Sequence, residues 1–378
     1  MTLSIAQILD VIDSYAPWSQ ADSWDNVGVL LGARRSPVKS ILCALEVTPG
    51  VIAEAKNSNA DLIIVHHPLI FHPLTRIDDT AYPGNLLAAL IRNNISLIAA
   101  HTNLDKAPVG TNFTLAGMLR LENMTTLLPE PPRTAAYKFV VFVPEKHEQR
   151  IIAAIARGGG GIIGEYSRCT FRSRGHGGFR PSKNASPFIG KHDVYQETPE
   201  YRIEALVAPK SLNRVIDEVL KAHPYEQPAY DVYPLEPSTG HEHGHEHGSG
   251  CLGSLKHETS LKAFARHVKR ILDARAITIV EGSPRTKIRT VAICAGAADS
   301  LIRDIPPRPA DVLVAGEINH HTALAAKSQG LNIILAGHYE TEVVGMERLA
   351  RLLARHSLIK QRGVTVRAAR RQSSPFSS

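Results

Sequence analysis

The chain has 378 residues, 43% hydrophobic and 21% charged, with a formal net charge of +7. That length is more than one typical domain needs, and the balance is that of an ordinary globular protein rather than a disordered or collagen-like one. No apolar run approaches the roughly 20 residues that cross a bilayer, and Met1-Thr-Leu-Ser-Ile-Ala6 lacks the basic start and apolar core of a signal peptide.

Cys43, Cys169, Cys251 and Cys294 are widely separated and form no CxxC pair. A reducing, cytoplasmic setting without a disulfide framework is expected. Part of the positive charge lies in the tail, at Arg351, Arg355, Lys360, Arg362, Arg367, Arg370 and Arg371. With no aromatic residues interleaved, this reads as a solvated terminus in preference to a nucleic-acid surface.

Residues 1–125 alternate helix and strand. Ser4-Ile-Ala-Gln7 has the form of a capping box, and Ile5, Ile8, Leu9 and Ile12 then share one helical face. Ser40–Leu45 reads as a strand, Val51–Ala60 as a helix, Leu62–Val65 as a strand, Asn85–Asn93 as a helix and Ser96–Ala100 as a strand. This rhythm predicts an α/β core with a mainly parallel sheet and helices on both faces. Residues 126–250 carry a different pattern, two successive strand–helix–strand sets: Lys138–Val143, Glu148–Arg157 and Tyr166–Phe171, then Tyr201–Val207, Leu212–Ala222 and Ala229–Tyr233. They predict an inserted ferredoxin-like α+β domain, with Gly158–Gly161 and Gly175–Gly178 as loops. Residues 251–378 resume the first rhythm with the helix Leu261–Leu272 and strands Thr290–Ala295, Ala310–Ala315 and Leu331–Leu335. The expectation is a discontinuous core, 1–125 with 251–378, interrupted by 126–250. The insertion ends in Gly240-His-Glu-His-Gly-His-Glu-His-Gly-Ser-Gly250, which reads as a metal-gathering tract or as a plain hydrophilic loop.

Three apolar strands end in imidazoles and carboxylates. Asp61-Leu-Ile-Ile-Val65 leads into His66-His67-Pro68, Ser96–Ala100 into His101-Thr-Asn-Leu-Asp105, and Leu331–Leu335 into Gly337-His338-Tyr-Glu-Thr-Glu342. Ligands of open α/β sheets sit at the carboxyl ends of strands, and these donors suit Zn, Fe, Mn, Co or Ni. His66 and His67 are consecutive, so their side chains diverge, and two adjacent metals share such a pair more easily than one takes both. His338 and Glu342 are four apart on one helix face. The ligand set is therefore read as His66, His67, Asp105, His338 and Glu342. His67 and Asp105 are assigned to one divalent metal, His66 and His338 to a second, with Glu342 bridging. A hydroxide held by such a pair is the expected nucleophile toward a carbonyl, formyl, amidine-like or phosphoryl centre. Glu342 and His101 are the candidate catalytic residues; His101 is a ligand, an orienting partner or an acid–base group. His320 and His321 could contact substrate near the metals or cap a helix. Trp24 reads as packing, and His223-Pro-Tyr-Glu226 as a rigid turn or a binding loop. Cys294-Ala-Gly-Ala-Ala298 is too poor in glycine for a phosphate loop.

These motifs resemble the GTP cyclohydrolase 1 type 2 homologue family, also called Nif-three-like. The matching pieces are Trp24-Asp-Asn-Val-Gly28, Cys43-Ala-Leu-Glu-Val-Thr48, His66-His-Pro-Leu69, His101-Thr-Asn-Leu-Asp105, Gly316-Glu-Ile-Asn-His-His321 and Gly337-His-Tyr-Glu-Thr-Glu342. Gly164-Glu-Tyr166, Ala222–Glu226 and Ala229-Tyr-Asp231 are similar to the longer bacterial members. The resemblance implies two divalent metals on the five ligands above, a toroidal homohexamer with the metals facing its cavity, and an insertion similar to the PII and CutA proteins. Glu46 and Glu317 stand where members often carry Asp. Two function classes follow: a two-metal hydrolase of a nucleotide, pterin precursor or other small polar molecule, and a metal-handling assembly such as a metallochaperone.

Overall fold

A computed structural model describes residues 2–130, 136–163, 166–235, 247–283, 287–306 and 309–376. The fold is mixed α/β. The chain divides into two compact units, 1–131 with 243–378, and 132–242. Of the His-rich tract, His241, His243 and His245 lie outside the described residues, as do Gly164 and Glu165. Among the described residues, no helix is long and apolar enough to cross a membrane.

The first unit is built on two main sheets. One has five strands in the order Thr365–Ala368, Ser40–Ala44, Leu62–Val65, Ser96–Ala99, Gly28–Leu31. Its first four strands are parallel and the last pairs antiparallel. The other has six, in the order Thr278–Val280, Asn332–Leu335, Val312–Glu317, Lys287–Ala297, Gly248–Ser260, Glu122–Pro129. Only its three strands 287–297, 312–317 and 332–335 run parallel; the outer strands join antiparallel. The core is thus mixed rather than mainly parallel. Continuous apolar runs such as Leu62–Val65 and Ile333–Leu335 mark a strand covered on both faces, and that burial does not fix the direction of its outer neighbours.

The capping box forms as its spacing requires: the Ser4 side chain accepts from Gln7 N–H, and Gln7 returns to Ser4 N–H. Ile5, Ile8, Leu9 and Ile12 are buried on one face of the helix Ile5–Tyr15. The helix His338–Arg355 links the two sheets. Met346, Leu349, Ala350 and Leu353 pack with the core of the five-stranded sheet, whereas Val344 packs into that of the six-stranded one. Its first turn consequently lies where strand ends of both sheets converge.

The second unit is a four-stranded antiparallel sheet in the order Tyr230–Leu235, Ala136–Pro144, Gln196–Val207, Thr170–Phe179. The helices Glu148–Gly158 and Leu212–Ala222 supply Ile151, Ile155, Val215 and Val219 to its core. Gly175–Gly178, expected as a loop, lies inside the strand Thr170–Phe179. A β-carbon on Gly177 would overlap the Glu200 carboxylate, so the glycine permits a close approach within the ladder.

Candidate metal centre

The five expected ligands meet at one place. His66 and His67 leave the end of Leu62–Val65, and their backbone N–H groups donate to Leu45 O at 3.0 and 2.9 Å. The neighbouring strand therefore anchors the pair. His101 precedes the short helix Thr102–Asp105, and His338 and Glu342 lie one turn apart on the helix His338–Arg355.

Glu342, 5% exposed, sits at the centre. Its Oε2 is 2.9 Å from His67 Nε2 and 3.0 Å from His338 Nε2. Its Oε1 is 3.9 Å from His66 Nε2, which in turn is 3.4 Å from Asp105 Oδ2. Donor atoms of His66, His67 and His101 lie within 4.8 Å of one another, as do those of His67, His338 and Glu342. The sequence reading paired His67 with Asp105 and His66 with His338; the distances pair His66 with Asp105 and His67 with His338. Which side each imidazole takes depends on where the helices 102–105 and 338–355 cross the strand end.

Three of the four imidazoles, His66, His101 and His338, are held from behind through Nδ1. His66 Nδ1 is 3.0 Å from Ala100 O, His101 Nδ1 2.9 Å from Asp25 Oδ1, and His338 Nδ1 3.0 Å from Glu317 Oε1. His67 Nδ1 has Glu46 at 4.0 Å. An outer acceptor on Nδ1 fixes the tautomer that leaves Nε2 as the lone-pair donor, the arrangement common to metal-binding histidines. Asp25, Glu46 and Glu317 were not proposed for this role. Glu46 and Glu317 obey the same strand-end rule that marked the histidines, so that signal was present. Asp25 comes from the loop beside Trp24, and its reach to His101 had no sequence signal.

The electrostatics follow from burial. Burial opposes a charge on His66, but Asp105 and Glu342 outweigh it and lift its pKa to about 9. His338 rises to about 9 in the same way, against its burial, through Glu342 and Glu317. Burial would raise the Glu342 carboxyl, yet His338, His67 and His66 hold it far below the usual carboxylate range. Asp25 is likewise pushed up by burial but brought down to about 2 by hydrogen bonds from His101 and Thr102. Cys294, beside the cluster, is a thiol raised by burial and by the charges of Asp105 and Glu342.

The donor set fits a divalent ion. Asp105 Oδ1 is a buried atom without a hydrogen-bond partner, and the close approaches of Glu342 Oε2 to His67 and His338 and of His66 Nε2 to Asp105 lack hydrogen-bond geometry. Orphaned buried polar atoms cost about 1–3 kcal/mol each, and here they converge with imidazole nitrogens whose other edge is already occupied. The cavity in front holds about 450 Å3 and is lined by His67, His101, Asp105, His338 and Glu342, with Trp24 and Phe71 on one wall. Those two rings are 5.8 Å apart, and Trp24 is 59% exposed, so it is not the packing residue expected. Asn319, and not His320 or His321, caps the helix His320–Ser328; both histidines are exposed in its first turn and neither lines this cavity.

The sequence pattern of the Duf34/NIF3 family (NGG1p interacting factor 3) matches residues 3–375. The chain belongs to this family. Relatives in it include a "GTP cyclohydrolase 1 type 2 homolog" of Halalkalibacterium halodurans, 38% identical over 92% of this chain and 92% of the relative. A protein of the same name from Bacillus subtilis is 36% identical over 98% and 97% of the two chains. The crystal structure of a Bacillus cereus protein related to NIF3 is similar across 100% of this chain and 99% of its own, at 36% identity and a TM-score of 0.68.

Proposed function

We propose that this family member holds two divalent metal ions and is a metal-dependent hydrolase of a small polar substrate. The observation that carries the reading is the division of the Glu342 carboxylate: Oε1 faces His66, while Oε2 faces His67 and His338. One ion would take His66, Asp105 and Glu342, and the other His67, His338 and Glu342. Zn, Fe, Mn, Co and Ni all accept these ligands. Ions bound there would supply Lewis acidity and an activated water.

The chain's own residues do the remaining work. Asp25 fixes His101 through Nδ1, which leaves His101 Nε2 to hold or deliver a proton at the cavity. Trp24 and Phe71 form a wall for the unsaturated or apolar part of a substrate. The cavity volume falls within the roughly 300–1,000 Å3 of small-molecule sites. The name shared by the relatives makes GTP the first probe.

Protein loaded with Mn, Fe or Zn is assayed with GTP, lactams, formyl compounds and phosphodiesters. Turnover that disappears in Glu342→Ala and falls in His101→Gln supports the reading. Inactivity throughout, with rapid metal transfer to an apo-acceptor, replaces it with metal handling, the class to which the His-rich sequence at 240–250 points.

The same reading includes the homohexameric ring that the resemblance implies and the cytoplasmic setting expected from the scattered cysteines. Sedimentation near six times the 41.2 kDa subunit mass tests the ring. We also read 132–242 as an inserted ferredoxin-like domain. Its sheet order (last strand, first, third, second) with one helix after the first strand and one after the third supports this.

A further inference from the structure

The 132–242 unit carries a cavity of its own, remote in function from any metal ligand. It holds about 150 Å3 and is walled by Phe179, Phe188, Ile189 and Tyr225, with Arg180 and Glu226 also lining it. The rings of Phe179 and Tyr225 are 5.8 Å apart at 59°, and those of Phe188 and Tyr225 are 6.3 Å apart at 55°. Two rings tilted against Tyr225 make a cup and not a slot for stacking a flat base. The volume is well below the roughly 300–1,000 Å3 of a drug-sized pocket, so it admits one side chain.

The cup is preformed. Tyr225 OH donates to Glu200 Oε1 at 2.7 Å, and Glu200 is 7% exposed. Tyr225 N–H donates to His223 Nδ1 at 3.0 Å, and His223 Nε2 bonds Phe142 O at 2.8 Å. The segment His223-Pro-Tyr-Glu226 is thus a rigid turn, and that rigidity sets the position of the wall. The facing loop closes on itself through Arg180 Nε to Asp193 O, His192 Nε2 to Ala185 O, and Asp193 N–H to Pro181 O. Rigid walls reduce the ordering cost of binding.

Arg180 and Glu226 line this one cavity, yet among the described residues they form no ion pair with each other or with any other side chain. Among the described residues, Glu226 Oε1 accepts the Ser186 N–H alone, at 3.1 Å. An apolar cup beside a guanidinium and a carboxylate, each bonded to backbone but neither in an ion pair among the described residues, matches a ligand bearing both charges on a single carbon. We infer that this cavity binds a free α-amino acid with an apolar side chain: the side chain in the ring-lined cup, the α-carboxylate on Arg180, and the α-ammonium on Glu226. A guanidinium takes a carboxylate bidentately. A plain hydrophobe would leave both charges unanswered, and a dicarboxylate would set a like charge against Glu226.

Calorimetric titration of the full chain with L-phenylalanine and L-leucine tests this, beside 3-phenylpropanoate and 2-phenylethylamine, which each lack one charge. At least one amino acid is expected to bind saturably, and both analogues more weakly. Arg180→Met and Glu226→Gln alter exposed side chains, and circular dichroism verifies their folding. Each should weaken amino-acid binding roughly ten- to a hundredfold, the loss of one charge-assisted hydrogen-bonding partner. Absence of binding by both amino acids at millimolar concentration overturns the inference. So does unchanged affinity in both variants, or equal binding of the singly charged analogues.

Discussion

Gly296 lies against the carboxylate of Glu342: a β-carbon placed there would overlap Oε1. The glycine also adopts φ +67, a left-handed conformation that side chains disfavour. Two requirements therefore coincide at the end of the strand Lys287–Ala297, in the Cys294–Ala298 segment that has no phosphate-loop pattern. Gly296→Ala should displace the central carboxylate and lower metal affinity roughly 10–100-fold. Gly363 is the control, with φ +65 and nothing near its would-be β-carbon. Gly363→Ala should cost only about 1 kcal/mol of stability and leave metal affinity unchanged. Competition against a chromogenic chelator reads both variants. Wild-type affinity in Gly296→Ala would show that the Glu342 oxygen can shift without consequence.

The outer partners predict a graded series. Glu317 is 3.0 Å from His338 Nδ1, whereas Glu46 is 4.0 Å from His67 Nδ1. Loss of a hydrogen-bonded outer carboxylate typically lowers metal affinity about 10–100-fold. Glu317→Gln should fall in that range and Glu46→Gln well short of it. Equal effects would mean that net charge at the site, and not the hydrogen bond behind the ring, sets the affinity.

The clustered histidines and carboxylates proposed as metal ligands were legible in the sequence because they follow apolar runs, and the end of a buried strand is where a sheet presents side chains to a ligand. Helix positions were legible for a similar reason: Leu212–Ala222 carries its apolar residues on one face, and its bounds are those expected. The pairing of ligands was not legible. His66 faces Asp105 and His67 faces His338 because of the crossing positions of two helices, and spacing along the chain carries no information on those. Asp25 is 76 residues from His101, and no local pattern joins them. The direction of the outer strands was hidden too, since Leu252 or Ile279 would be as apolar in either orientation.

Without metal, the cluster should make stability depend on pH in a defined sense. His66 and His338 have folded pKa values of about 9 against ordinary values of 6.5. Their contribution is complete below 6.5 and is lost as the pH rises through about 9. Glu342 is shifted down from 4.5, so its contribution is present above 4.5 and lost as the pH falls through its folded value. The chelated protein should therefore melt highest between pH 4.5 and 6.5 as far as this cluster is concerned, and progressively lower toward pH 9. Saturating metal should raise the melting temperature most at the alkaline end, where the ligands are already deprotonated. A metal-induced shift that is flat or largest in acid would contradict the charge states assigned to His66 and His338.

Asp25 supplies a test that is independent of metal. Its side chain is fully buried, and its two oxygens take His101 Nδ1 at 2.9 Å, Thr102 N–H at 3.0 Å and the Thr102 hydroxyl at 2.6 Å. Asp25→Asn keeps the shape but replaces one acceptor oxygen by a donor, which leaves at least one of these three donors unanswered. The expected loss is about 1–3 kcal/mol in urea unfolding near neutral pH. The folded pKa of about 2 lies below the ordinary 3.8, so the charge stabilises the protein above 3.8 and ceases to do so as the pH falls through 2. The difference between wild type and Asp25→Asn should therefore shrink between pH 4 and 2. A constant difference over that interval would place the effect in packing and not in the carboxylate charge. Because the Asp25 carboxylate is the sole anchor found for His101 Nδ1 among the described residues, the same variant should also free that ring. Turnover, where it is found, should then fall in Asp25→Asn without a comparable loss of bound metal.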